Sequence, residues 1–296
     1  MRRFVESRLF MVPTTPSYDA GDARAGGMYL SSMVVDDVRA RVPYATTFDP
    51  ASGPDASSAG GLILYFHGNA EDIGLTAPRL CRLAAAVGMH AMAVEYPGYG
   101  PYLPIGDDNG DDSPSSLTSL SSSVRRVVPS EQAAHAAARA AVLCALDRRW
   151  SAGAQSIVLW GTSLGGAVAA RLAADMSRAG NSPGALVVAS TFATARDAAR
   201  DLVGGPWWRL VGRAVFATTD HVPDIDCPTL SLHGAADEII PVHHASRLKA
   251  ACASGAWWRV RVLPGGSHND LDDDGFVVPQ VRAFLDDARF TWRHRD

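Results

Sequence analysis

The chain has 296 residues, 47% hydrophobic and 20% charged, so it can bury a large core without disulfides or metals and lacks the composition of a disordered protein. Its net charge of −4 excludes the strongly basic surface that phosphate-backbone binding needs, and nucleic acid is not expected as a partner. No apolar run reaches the ~18–20 residues that span a bilayer. The four cysteines, Cys81, Cys144, Cys227 and Cys252, are scattered without ligand-like spacing, which reads as free thiols in a cytoplasmic protein, at most peripheral at membranes.

In chain order, residues 1–27 read as an N-terminal arm, because Pro13, Pro16, Gly21, Gly26 and Gly27 interrupt any regular element. Short β-type runs follow at Met28–Val35 and Val38–Thr47, then a loop over Asp49–Gly60. Gly61–Phe66 is the continuous apolar run of a buried strand; a helix over 76–87 and a second buried run, Met89–Glu95, come next. Residues 101–128 carry Asp-rich and then Ser-rich stretches and read as a disordered surface insertion. Ser130 is a helix N-cap, with Glu131 in the first turn of an alanine-rich helix to about Trp150. A strand at Ser156–Trp160 and a helix at Gly165–Ala179, stopped by Gly180, follow. Further strands are expected at Ala185–Ala189, Thr229–Leu232 and Trp257–Leu263, with helices near 243–252 and 277–288. Residues 191–225, with Trp207 and Trp208 beside Gly204-Gly205-Pro206, read as a small lid segment over one end of the sheet. The alternation predicts an α/β domain over 28–290, with a mostly parallel central sheet, helices on both faces and the two early β runs as an antiparallel edge.

The strongest chemical signal is Gly161-Thr162-Ser163-Leu164-Gly165-Gly166, directly after one predicted strand and directly before a helix. In that setting Gly-x-Ser-x-Gly is a nucleophile elbow, which lifts Ser163 above the sheet at a helix N-terminus. A serine hydroxyl needs a base, and the base must be oriented. His268, in Gly265-Gly266-Ser267-His268, and Asp237, in His233-Gly234-Ala235-Ala236-Asp237, each follow a predicted strand in the required chain order. Glu238, Asp224 and Asp226 are the rival acids; the last two precede their strand rather than follow it. An oxyanion hole is expected from the backbone N–H groups of Leu164 and Asn69, with Ala70 the alternative in the loop His67-Gly68-Asn69-Ala70. His233 reads as a turn residue, and His243-His244, at a helix start, as surface. The acidic cluster at 270–274 lacks the spacing of a calcium loop, no phosphate-cradling or dinucleotide fingerprint occurs, and neither metal nor cofactor is expected.

Over about residues 61–290 these motifs resemble the α/β-hydrolase superfamily. HGNAEDIG (67–74), YPGYG (96–100), PSE (129–131), HGAADEIIP (233–241) and GGSHNDL (265–271) are similar to the eukaryotic branch that contains the α/β-hydrolase domain-containing protein depalmitoylases. LFMVPTTPSY (9–18) is similar to the proline-containing start of those enzymes. The resemblance implies a triad of Ser163, Asp237 and His268 and a carboxylic ester or thioester substrate, carried by an acylated protein or lipid. Two features depart from that branch: no cysteine precedes Cys81, where its members carry an acylated cluster, and residues 101–128 are inserted. The resulting expectation is an ester or thioester hydrolase, with a peptidase or amidase on the same triad and an inactive scaffold as rivals.

Overall fold

The structure, a computed structural model, describes residues 10–13, 15–19, 24–54, 61–100, 103–104, 128–203, 206–253 and 256–293. Most of the insertion expected at 101–128 and the first nine residues of the arm lie outside the described residues.

The described chain forms a ten-stranded mixed sheet. Strands β1 (Arg24–Ala25), β2 (Met28–Val35) and β3 (Ala40–Thr46) form an antiparallel edge, with β6 (Leu103–Pro104) also paired to β3. Then come β4 (Leu62–Phe66), β5 (His90–Val94), β7 (Ile157–Thr162), β8 (Ala185–Ala189), β9 (Thr229–Gly234) and β10 (Trp258–Leu263). Their spatial order, β5-β4-β7-β8-β9-β10, is parallel throughout, while β3 meets β5 antiparallel.

Strand β4 is buried along its whole length, and its alternation splits it between two cores. Leu62, Leu64 and Phe66 pack with the alanines of α2 (Glu131–Asp147) and with α3 (Leu164–Arg178). Ile63 and Tyr65 pack on the other face with α1 (Ile73–Val87) and α7 (Val278–Arg293). Small alanines on α2 and α3 let those helices lie close to the sheet and to each other, which explains an Ala-rich sequence that is not merely helix-forming. Ser130 caps α2 by accepting from Ala133 N–H at 3.1 Å. Helix α1 starts at residue 73 rather than 76, because Asp72 caps it by accepting from Leu75 N–H at 3.0 Å.

The chain runs from β4 outward to β5, then crosses back to β7 on the other side of β4. The loops after β4 and β7 therefore diverge at a topological switch point, where α/β sheets open a crevice at the carboxyl ends of their strands.

Between β8 and β9 the chain makes an excursion through α4 (Ala195–Val203), a short turn at Trp207–Leu210 and α5 (Thr218–His221). Two ties hold it. Glu131, at the start of α2, accepts from Phe216 N–H at 3.1 Å and from Arg171 at 3.2 Å. The second is His244 on α6 (His243–Ala250), and it corrects the surface reading of the histidine pair. His243 is exposed, but His244 is fully buried. Its Nδ1 accepts from Ala193 N–H at 3.1 Å, and its Nε2 lies 3.2 Å from Asp201 on α4. The start of a helix is an exposed position only until another element covers it, and here α4 does.

Among the described residues no helix is long and apolar enough to cross a membrane.

Burial and the neighbouring His243 charge push His244 down from 6.5 to about 4. Between those values the unfolded chain takes up a proton that the folded chain refuses, so stability is full above pH 6.5 and falls as pH drops toward 4. The urea midpoint should follow that course. In His244→Asn, whose amide oxygen can still accept from Ala193 N–H, this part of the slope should disappear.

Candidate active site

Strand β7 ends and α3 begins with one residue between them, Ser163, at φ 53° and ψ −116°. A non-glycine residue pays strain in that region, so the surroundings must impose it. They do so by backbone contact. A Cβ on Gly161 would lie 2.0 Å from Gly165 O, and one on Gly165 would lie 2.0 Å from Phe66 O. Strand β7, helix α3 and the end of β4 thus touch backbone to backbone, and no side chain larger than hydrogen fits at either glycine. Ser163 N–H donates to Ala189 O at 2.8 Å, which ties the turn to β8.

Asp237 and His268 arrive on two neighbouring loops. Asp237 follows β9, and its Oδ1 accepts from Ile239 and Ile240 N–H at 3.0 and 2.7 Å. His233 steadies this turn: its Nε2–H donates to Ile240 O at 2.7 Å and lies 3.3 Å from Asp237 Oδ2. The loop after β10 carries His268 and is fastened to the first by Ala235 N–H on Leu263 O and Ala236 N–H on Gly266 O, both 2.9 Å. His268 Nδ1 meets Asp237 Oδ2 at 2.8 Å and Oδ1 at 3.0 Å, and Nε2 meets Ser163 Oγ at 3.2 Å. Burial opposes ionisation of Asp237, yet the hydrogen bonds from His233, His268 and Ile240 N–H outweigh it and hold the carboxyl well below the usual range. The ring of His268 is thereby fixed with Nδ1–H toward the carboxylate and the Nε2 lone pair toward the serine. Of the rival acids, Glu238 only faces His268 N–H at 3.4 Å, and Asp224 pairs with Arg178.

Comparisons with known proteins agree with this architecture. No model of a known protein family matches the sequence. The chain is 26% identical over 226 residues to the α/β-hydrolase domain-containing protein aho-3 of Caenorhabditis elegans, covering 76% of this chain and 57% of that one. It is 27% identical over 246 residues to the lysophosphatidylserine lipase ABHD12 of Xenopus tropicalis, covering 76% and 56%. It therefore spans little more than half the length of these relatives. Among solved structures, Est1E from Butyrivibrio proteoclasticus superimposes with a TM-score of 0.59 at 15% identity, over 87% of this chain and 98% of that one. The chain has the α/β-hydrolase fold.

In this fold the loop after β4 lies against the elbow: a Cβ on Gly68 would sit 3.7 Å from Ser163 Cβ. Leu164 is the first residue of α3, so its N–H is one of those a helix leaves without an internal acceptor. Gly68 N–H is occupied by Glu71 Oε2 at 2.8 Å.

Beneath that loop is a buried network that sequence reasoning missed. His67 Nδ1 lies 2.8 Å from Gly68 O and Nε2 2.8 Å from Glu95 Oε1. A carbonyl can only accept, so Nδ1 carries a proton. Glu95 also accepts from Tyr96 N–H, Ile73 N–H and Tyr18 OH, so Nε2 donates as well. Burial alone would lower His67, but the Glu95 charge and these hydrogen bonds raise it. The signal for the pair is weak in sequence: His67 and Glu95 each end a buried strand run, and polar side chains there need a partner.

Among the described residues one group, Asp201, His243 and His244, has ligand atoms close enough to share a metal ion. The hydrogen bonding argues against it. Ala193 N–H occupies the Nδ1 lone pair of His244, so the neutral ring carries its proton on Nε2, the atom that would have to bind the metal.

Substituting Gly165 by alanine should drive β4 and α3 apart. Stability should drop by about 3 kcal/mol in urea unfolding. The Ser163–His268 geometry should be lost with it, read as a fall in the labelling rate by an active-site fluorophosphonate.

Proposed function

We propose that this chain is a serine hydrolase of carboxylic esters or thioesters. The observation that carries the reading is the continuous hydrogen-bonded row Ser163 Oγ, His268 Nε2, His268 Nδ1 and Asp237 on a strained strand–helix turn. Ser163 Oγ attacks the acyl carbonyl carbon as its proton passes to His268 Nε2. The carbonyl oxygen takes up negative charge against the N–H groups of Leu164 and Asn69. The tetrahedral species collapses, the alcohol or thiol leaves with the proton from His268, and Ser163 is acylated. Water then attacks the acyl-enzyme with His268 as base and releases the acid. Asp237 keeps the imidazole in one tautomer and offsets its charge while it holds two protons.

The acyl group is inferred to be long. Leu164 belongs to the same apolar cluster as Phe192, Val211, Val215 and Phe216 of the excursion, which would serve as a small lid. Two resemblances point to lipid-type acyl donors. The motifs are similar to those of the acyl-protein depalmitoylases, and the matched relatives include proteins named lysophosphatidylserine lipase. We infer a long-chain acyl ester or thioester, with the leaving group a lipid headgroup or a protein thiol. Glycerol-type esters and cysteinyl thioesters of one fatty acid are the pair of substrates that separates these leaving groups.

Fluorophosphonate labelling of the wild-type chain and competition by palmitoyl esters and thioesters are the direct test. Ser163→Ala should keep the thermal midpoint of the wild type and lose both labelling and turnover. Asp237→Asn should retain binding but lower kcat by roughly 10⁴-fold, since the amide inverts the preferred tautomer. Turnover that survives Ser163→Ala would refute the mechanism, and a folded wild type that neither labels nor turns over would favour a scaffold.

A further inference from the structure

The segment before the first strand touches the site at three separate places. Met11 N–H donates to Asn69 Oδ1 at 2.9 Å, and the same oxygen accepts from Tyr99 OH at 2.5 Å. Ser17 N–H donates to Asp72 Oδ2 at 2.7 Å, while the Ser17 hydroxyl donates to Asp72 Oδ1. Tyr18, itself buried, donates its hydroxyl to Glu95 Oε2 at 2.8 Å. Phe10 anchors the other end. It is 6% exposed, and its ring stands edge-on to Tyr99 at 6.0 Å and to Phe216 of the excursion at 5.7 Å.

These contacts do not fall at random along the acceptor chain. Asn69 and Asp72 both lie in the loop that joins β4 to α1, and Glu95 is the carboxylate on which His67 rests at the start of that loop. Within the loop Ala70 stands at φ 62°, an uncommon conformation for a non-glycine residue. The loop is held in good part from outside. Asp72 takes two of its hydrogen bonds from Ser17 and one from its own helix. A loop whose backbone N–H must meet a developing oxyanion within a few tenths of an ångström depends on such ties, because misplacement of about 1 Å costs on the order of 10²-fold in rate.

We propose that residues 10–13 and 15–18 form a strap that positions the Gly68–Asp72 loop for oxyanion stabilisation, with Ser17 and Tyr18 as positioning residues. The inference rests on the ester-hydrolase reading above. The strap touches no reacting atom. It acts through Asn69, Asp72 and the His67–Glu95 pair, and through Phe10 it joins the loop to the excursion.

The test compares Tyr18→Phe and the isosteric pair Ser17→Val and Ser17→Thr in the full chain, with a long-chain acyl ester as substrate. An alkyl trifluoromethyl ketone is the probe, since its adduct with Ser163 carries the oxyanion. Tyr18→Phe and Ser17→Val should lower kcat by about 10–100-fold, with the ketone inhibition constant rising by a similar factor. KM should move less than about twofold, because ground-state binding does not use the oxyanion position. Ser17→Thr, which restores the hydroxyl at the same volume as valine, should recover most of the lost kcat at the same thermal midpoint as Ser17→Val. The proposal is overturned if folded Tyr18→Phe and Ser17→Val keep kcat within about twofold of wild type, or if KM rises while kcat and ketone binding hold. It is also overturned if valine and threonine behave alike. Failure of the hydrolase reading itself looks different: the wild type would then neither turn over the ester nor bind the ketone.

Discussion

The backbone contact at the elbow constrains everything else in the site. Gly161, Gly165 and the carbonyl of Phe66 meet with no room for a Cβ between them. That contact sets how deep α3 sits on the sheet, holds Ser163 at positive φ and brings the loop after β4 against it. The serine is therefore presented by rigid regular elements, and its strain is sustained by packing that spans three strands. The parallel strand order does the rest, since β7, β9 and β10 all point their carboxyl ends to the same side and deliver Ser163, Asp237 and His268 to one crevice.

Charges enter this apolar framework only where several hydrogen bonds receive them. Asp237 accepts from two backbone N–H groups and from His268. Glu95 engages four groups, Tyr18 OH, His67 Nε2, Ile73 N–H and Tyr96 N–H. Glu131 accepts from Arg171 and Phe216 N–H. Each carboxylate stands at the junction of segments far apart in the chain, so burying it orders more than one element at once. An isolated buried charge would be costly. A carboxylate engaged by several hydrogen bonds fixes geometry instead, as Asp237 does for the His268 ring.

Much of this was legible in the sequence, and the reason is locality. The elbow needs small residues at fixed offsets within one short stretch, so Ser163 announces itself. His268 and Asp237 follow strands whose apolar runs are themselves readable. Ser130 as a cap, and β2 and β8 to the residue, follow from local rules in the same way. What stayed hidden depends on pairing across distance. Nothing near Glu95 names Tyr18 as its partner, 77 residues earlier, and nothing near Glu131 names the amide of Phe216, 85 residues later. His244 sits at a helix start that looks solvent-facing until α4 covers it. The first turn of α1 was missed because Pro78 inside the helix masks the start that Asp72 caps.

Two segments that read as peripheral in sequence, the arm and the excursion, meet at one ring. Phe10 lies between Tyr99, whose hydroxyl fixes Asn69, and Phe216, whose amide is held by Glu131. The loop that would receive the oxyanion and the segment that would face the acyl chain are thus tied to a common apolar contact rather than to each other by sequence. Movement of the excursion that displaced Phe216 would remove one wall from Phe10 and loosen the hold of Met11 on Asn69. Because packed aromatic contacts give way abruptly rather than gradually, the two halves of the site would be in register together or not at all.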